Sequence, residues 1–321
     1  VIWGEEIFTG REILSLNPAD PSEVVGRVSL AGTAEADRAV DEAWRAWEGW
    51  KKVPARERAE RLFRAAAAMR EKRFEFAALE VYEVGKTWKD ADADVAEAID
   101  YFEYYGREME RLGKPKRLGE YPGEANEYRY EPKGVGVVIA PWNFPLAIAA
   151  GMISAGVVAG NCVIFKPSGL SSVCGWRLSE ILLGAGLPPG VFQFLPGEGA
   201  EVGDYLVSHP RIDFIAFTGS RDVGLGIVKK AGETHPGQRN VKRVIAEMGG
   251  KNAVIVDDTA DLDEAVQGVL ESSFGYQGQK CSACSRVIVM GEIFEEFCRR
   301  LEGAVGSVRV GAPESPATFI G

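Results

Sequence analysis

From residue 134 to residue 165 the chain carries no charged side chain, although 26% of the whole sequence is charged. A stretch like this has to be buried, in protein or in lipid. Its second half, LAIAAGMISAGVVAGNCVIF, is mostly Ala, Gly and Val, and Gly160-Asn161 interrupts it. A membrane span needs about 20 predominantly apolar residues in one run. The pattern here predicts a buried helix, a turn and a buried strand instead. The runs GVGVVIA, NCVIFKP, VFQFLPG, IDFIAFTG and KNAVIVDD follow the same logic. Each is rich in strand formers, and the intervals leave room for crossover helices. The spacing predicts an α/β fold with a doubly wound parallel sheet, whose ligands lie at the carboxyl ends of the strands.

Upstream, from residue 33 to about residue 113, apolar residues recur every three or four positions, which predicts helices punctuated by Pro54 and Gly85. Residues 121–134, YPGEANEYRYEPKG, switch to turn formers and then to alternation, as an exposed strand or hairpin arm would. The chain does not begin with Met, and both ends read as though they lie inside domains. Residues 306–310 are therefore expected to lack a pairing partner, and SRVIVM to present an apolar strand edge.

The 321 residues are enough for a large core or two domains. A formal net charge of -10 excludes phosphate backbones and anionic lipid surfaces as natural partners, so neither nucleic acid nor membrane is expected. Five cysteines, an odd number, make no disulfide framework and fit a reducing, cytoplasmic setting. The opening VIWGEEIFTG has no basic region and no long apolar core, so it is not a signal peptide.

Two of the cysteines fall in SFGYQGQKCSACSR, as Cys281 and Cys284. They could form a metal clip, a redox pair, or one nucleophile with an inert neighbour. A structural zinc site takes about four ligands. Cys162, Cys174 and Cys298 lie in other predicted elements, and His209 and His235 each precede a proline in loop-like contexts. No metal is expected. A redox pair lacks its usual strand-to-helix setting. A nucleophilic cysteine commonly borrows a histidine base, but both histidines read as ordinary surface residues. A carboxylate is then the natural activator of water, and Glu247, in AEMGGKNAVIV, precedes two glycines that permit close approach. The alternative for Glu247 is a surface residue before a turn.

A dinucleotide fingerprint is absent from the first strand-to-helix turn. Gly197-Glu198-Gly199 with Gly203 is one residue too long to match it. FTGSRDVG is better placed, because Ser220 can cap a helix starting near Arg221 whose free N–H groups would face a pyrophosphate. It can equally be a simple cap. Lys166, in FKPS, ends a predicted strand at the sheet's carboxyl edge, where it would meet ribose, phosphate or only solvent.

PWNFP, FKPS, FTGS, EMGGKN and GQKCSA, in this order, resemble the motifs of the aldehyde dehydrogenase superfamily, and the resemblance covers the whole chain. Within it, YPGEANE and FGYQGQKCSA are similar to the 1-pyrroline-5-carboxylate dehydrogenases, which oxidise L-glutamate γ-semialdehyde. The resemblance implies Cys281 as the nucleophile, Asn143 with the Cys281 N–H as oxyanion donors, and Glu247 as the base that hydrolyses the thioester. It implies NAD contacts at Ile139, Trp142, Lys166, Ser168, Gly219, Ser220 and Gly224. Many NAD-preferring members carry a glutamate where this chain has Gly169, so NADP is possible as well. Substrate contacts are implied at Glu97, Phe144 and Ser282, with an exposed helical charge as the alternative for Glu97. The aldehyde dehydrogenase fold further implies a Rossmann-like NAD-binding domain in residues 1–120 and 135–247. Residues 121–134 would be part of an arm that builds a homo-oligomer, and residues 248–321 the truncated start of a catalytic α/β domain. The family's E-x-F-G-P segment is absent, so this chain alone is expected to bind NAD weakly and not to turn over. Another aldehyde or semialdehyde dehydrogenase, or a catalytically silent fragment, are the competing readings.

Overall fold

In the computed structural model, which describes residues 1–321, the chain opens with an antiparallel hairpin of β1 (Glu12–Leu16) and β2 (Val24–Ser29). Four helices follow: α1 (Thr33–Trp50), α2 (Ala55–Glu71), α3 (Arg73–Val84) and α4 (Trp88–Leu112). Each buries one stripe. In α1 the stripe is Ala36, Ala39, Val40, Ala43, Trp47 and Trp50, at helical spacing. Pro54 immediately precedes α2, where its missing N–H costs nothing. Gly85 ends α3 in the left-handed region, with φ 68°, where a β-carbon would be strained. Thr87 caps α4 by accepting a hydrogen bond from Asp90 N.

The arm is smaller than the alternation in EYRYE implies. Only β3 (Lys116–Arg117) and β4 (Glu127–Tyr128) pair, antiparallel, and their side chains face solvent. A segment with no buried face gains little from a longer ladder.

The sheet follows as β5 (Val135–Ile139), α5 (Ala147–Val158), β6 (Cys162–Lys166), α6 (Ser172–Gly184), β7 (Phe192–Phe194), α7 (Asp204–Ser208), β8 (Phe214–Thr218), α8 (Arg221–Ala231) and β9 (Arg243–Glu247). The uncharged stretch is thus strand, helix, turn and strand, as expected. All neighbours are parallel and the order is β7-β6-β5-β8-β9. The winding reverses between β5 and β8, which opens a crevice beyond their carboxyl ends. β5, β6 and β7 are buried almost throughout, so they read as continuous apolar runs.

One strand assignment is corrected. KNAVIVDD is not part of this sheet. Its β10 (Asn252–Val256) pairs in parallel with β11 (Cys284–Val289), joined through α9 (Leu262–Phe274), in a separate two-stranded sheet. The fifth place belongs to β9, an edge strand whose alternating exposure hides it from a search for apolar runs. The last helix is α10 (Phe294–Gly306). Val256, Val266, Val269 and Phe297 form a small core between β10, α9 and α10, distinct from the large one under the main sheet. The outer face of the β10–β11 pair is open, with Ile255 74% and Ile288 54% exposed. Residues 306–310 do find a partner: Val310 bridges Ile320, and the N–H groups of Phe319 and Ile320 donate to Arg309 O at 3.0 and 3.1 Å. No helix is long and apolar enough to cross a membrane.

Candidate active site

Cys281 is exposed at the end of a loop that the backbone strains to form. Between α9 and β11, Tyr276 (φ 51°), Gln277 (φ 53°) and Gly278 (φ 66°) are consecutively left-handed. Such geometry costs a side-chain-bearing residue about 1–2 kcal/mol, so surrounding contacts must hold it. Tyr276 supplies them. Its ring is 1% exposed, its hydroxyl donates to Val84 O at 3.2 Å, and it packs edge-on against Trp142 and Phe144, with ring centres 6.3 Å away in each case. From the other side, Asn252 Nδ2 donates to Cys281 O at 2.7 Å. A β-carbon on Gly250 would lie 2.7 Å from that same carbonyl, which explains a glycine there. Lys280 Nζ is 2.9 Å from Asp90 Oδ1 on α4. Cys284 is buried at the start of β11, its N–H donating to Ser272 Oγ, so the two cysteines occupy different environments.

Asn143 Nδ2 donates to Gln279 O at 2.7 Å. The PWNFP loop and the cysteine loop are therefore tied directly together. One amide N–H is used in this tie, and the second is left for a ligand.

These loops close one end of a cleft of about 850 Å³ in the β5–β8 crevice. Ile139, Trp142, Lys166 and Ser168 line one wall, Gly219 and Ser220 the other, and Asn143 and Cys281 the end. Ser220 caps α8 through Val223 N, which leaves the first N–H groups of that helix without intrahelical partners. Ser168 caps the short turn after β6 through Leu170 N. A second hollow, about 360 Å³ under the N-terminal segment and α6, holds none of the motif residues.

Lys166 is not solvated. It is 6% exposed, its ammonium has one partner, Pro167 O at 2.9 Å, and burial pushes its pKa down to about 8. Gly169 offers no carboxylate to pair with it. A buried cation with an unfilled donor set, opening on a cleft with helix N–H groups opposite, fits a dinucleotide's ribose and phosphates.

Five expected residues lie off the cleft's walls. Glu247 ends β9 with its carboxylate exposed; its carbonyl accepts from Gly219 N at 3.1 Å, and Met248, Gly249 and Gly250 rather than Glu247 reach the wall. Gly224 is buried under the cleft, where a β-carbon would meet Met248 Sδ at 2.9 Å, so its smallness serves packing of α8. Glu97 is exposed on α4, although the protein beneath it and then Asp94 hold its carboxyl above the usual value. Ser282 is exposed beside Cys281, and Phe144 lies beneath the loop junction. The histidines are less superficial than expected. His209 is tethered between Arg211 N and Asp37, and His235 Nε2 is buried without a partner.

Sequence reasoning missed a charged cluster. Lys86, Glu80 and Asp94 are buried under the junction of the two loops, with Lys86 and Glu80 fully enclosed. One signal was present: Glu80 falls on the buried stripe of α3 with Phe76, Ala77, Val81 and Val84. A charge there implies a buried partner.

The aldehyde dehydrogenase family model matches residues 7–321. The chain belongs to the aldehyde dehydrogenase family. Among its relatives in that family, the 1-pyrroline-5-carboxylate dehydrogenase of Geobacillus sp. (strain WCH70) is 50% identical over 321 residues, which is 100% of this chain and 62% of that protein. The enzyme of that name from Bacillus subtilis (strain 168) is 46% identical over the same coverage. Among solved structures of this aldehyde dehydrogenase fold, a 1-pyrroline-5-carboxylate dehydrogenase from Thermus with bound NAD superimposes with a TM-score of 0.97 at 51% identity, over 100% of this chain and 62% of that one. Proline utilization A from Bdellovibrio bacteriovorus, inactivated by N-propargylglycine, gives 0.99 at 48% identity, over 100% of this chain and 34% of that one. The chain thus spans about 62% of the length of the curated relatives it matches.

Proposed function

We propose that the full-length protein is an NAD-dependent dehydrogenase that oxidises L-glutamate γ-semialdehyde to L-glutamate, the aldehyde step of proline breakdown. The observation that carries this reading is the tie between Asn143 and the Cys281 loop at the end of a dinucleotide-sized cleft. Residues 1–120 and 135–247 would form the NAD-binding domain and residues 248–321 the beginning of the catalytic domain; the separate small core after β9 supports a boundary there. The exposed tyrosines of residues 121–134 support a role as part of an oligomerisation arm in a homo-oligomer. The free thiols support a cytoplasmic setting.

In this mechanism the Cys281 thiolate attacks the aldehyde carbon. The free Asn143 amide N–H and the Cys281 backbone N–H stabilise the oxygen as it gains charge. Lys166, Ser168, Trp142, Ile139, Gly219 and Ser220 would hold NAD, which accepts a hydride when bound. Glu247 then rotates toward the thioester and draws a proton from water, releasing the acid. Gly169 leaves Lys166 without a competing carboxylate, so NADP would be accepted too.

Two substrate groups need partners, an α-ammonium and an α-carboxylate. Glu97 would take the first and Ser282 the second, with Phe144 packing on the carbon chain. Replacing Glu97 by Ala raises KM for glutamate semialdehyde at least tenfold and leaves KM for an aliphatic aldehyde within about twofold, as expected for a lost charge-assisted hydrogen bond. Steady-state NADH formation measures both. Equal effects would favour a general aldehyde dehydrogenase, a reading that the position of Glu97 off the cleft's wall supports.

A further inference from the structure

Below the junction of the two loops, Lys86 Nζ lies 2.7 Å from Glu80 Oε2 and 2.8 Å from Asp94 Oδ2, with both lysine and glutamate 0% exposed. The Glu80 carboxyl meets only the other two members of the set. Burial and then the neighbouring Asp94 push Glu80 well above the usual carboxyl range. Burial alone would lower Lys86, yet Glu80 and Asp94 more than offset it and hold the ammonium charged. The buried ammonium thus keeps carboxyl partners on two sides, which the interior tolerates better than an isolated charge.

Three contacts leave this set, and all reach the active-site loops. The Lys86 ammonium sits 4.4 Å from the centre of the Phe144 ring and 5.4 Å from that of Tyr276. Asp94 Oδ1 accepts a hydrogen bond from Ala147 N, at the start of α5 two residues after PWNFP. Phe144 is adjacent to Asn143, and Tyr276 is the first left-handed residue on the way to Cys281. The cluster sits where the two halves of the oxyanion site meet.

We infer that Lys86, clamped by Glu80 and Asp94, is a positioning residue that sets the spacing between the Asn143 amide and the Cys281 loop through the Phe144 and Tyr276 rings. The inference rests on the dehydrogenase reading of the cleft for its kinetic consequence, but not for its geometry. A loosened junction weakens an interaction made in the transition state, so kcat falls and KM does not follow.

The test uses the full-length protein with Lys86→Met and with the double change Lys86→Met/Asp94→Asn. The single change strands a buried carboxylate and can unfold the chain. The double change removes both charges and keeps an oxygen for Ala147 N, so it folds. In the double variant the pre-steady-state burst of NADH slows at least tenfold, while KM for the aldehyde and Kd for NAD stay within twofold. A burst within twofold of the unaltered protein overturns the inference, and so does a double variant that fails to fold, since the cluster would then be a stability element. If the unaltered protein forms no NADH from any aldehyde, the dehydrogenase reading fails instead. The positioning claim is then decided by iodoacetamide modification of Cys281, followed by mass spectrometry. A rate altered at least threefold in the double variant upholds it, and a smaller change overturns it.

Discussion

Cys281→Ala lowers aldehyde oxidation by the full-length protein by about 10⁴-fold or more, the scale seen when a covalent nucleophile is removed, whereas Cys284→Ala leaves the rate within about twofold. The two thiols are three residues apart and differ in exposure and in the backbone that carries them. Cys281 is exposed at the cleft's end, on a loop fixed by Tyr276, by Asn252 and by the Asn143–Gln279 hydrogen bond. Cys284 is buried as the first residue of β11, where truncation removes one sulfur's packing at about 1 kcal/mol. Stopped-flow NADH traces and thermal melts on both variants separate the roles. Comparable losses of activity from the two substitutions would end the single-nucleophile reading.

Glu247→Gln gives a different signature: one rapid equivalent of NADH, then turnover slowed by about 10²–10⁴-fold, because acylation needs no water and deacylation needs a base for it. Its carboxylate is exposed rather than turned into the cleft, while the following Met248, Gly249 and Gly250 line the wall. The side chain can therefore serve only by rotating inward once the thioester exists. Trapping of an acyl adduct on Cys281, seen as added mass, accompanies the burst. Unchanged steady-state turnover would remove Glu247 from the mechanism.

Much of this was legible in the sequence, and what was hidden has physical causes. The uncharged stretch declared α5 and β6 because burial on both faces leaves no room for charge. β9 stayed hidden because an edge strand alternates, and the neighbouring NAVIV run offered a stronger apolar signal for the same place in the sheet. The motif residues on the cleft walls were reached through the resemblance that PWNFP, FKPS, FTGS and GQKCSA carry. The Lys86 cluster was missed because helical periodicity treats charges as an outer face, although Glu80 falls on the buried stripe of α3. The left-handed pair Tyr276–Gln277 had no signal at all. Gly275 and Gly278 flank it, and a reader assigns unusual backbone geometry to glycines first.

A pKa of about 8 leaves roughly a tenth of the Lys166 side chains uncharged at neutral pH, about 200- to 300-fold more than an ordinary lysine. Among the lysines of this chain it is the one that burial shifts furthest toward the neutral amine. Occupancy of the cleft by a dinucleotide would restore its charge and cover it at once. The expected result is that added NAD protects Lys166 from labelling, read by mass spectrometry; labelling unchanged by NAD would count against that contact.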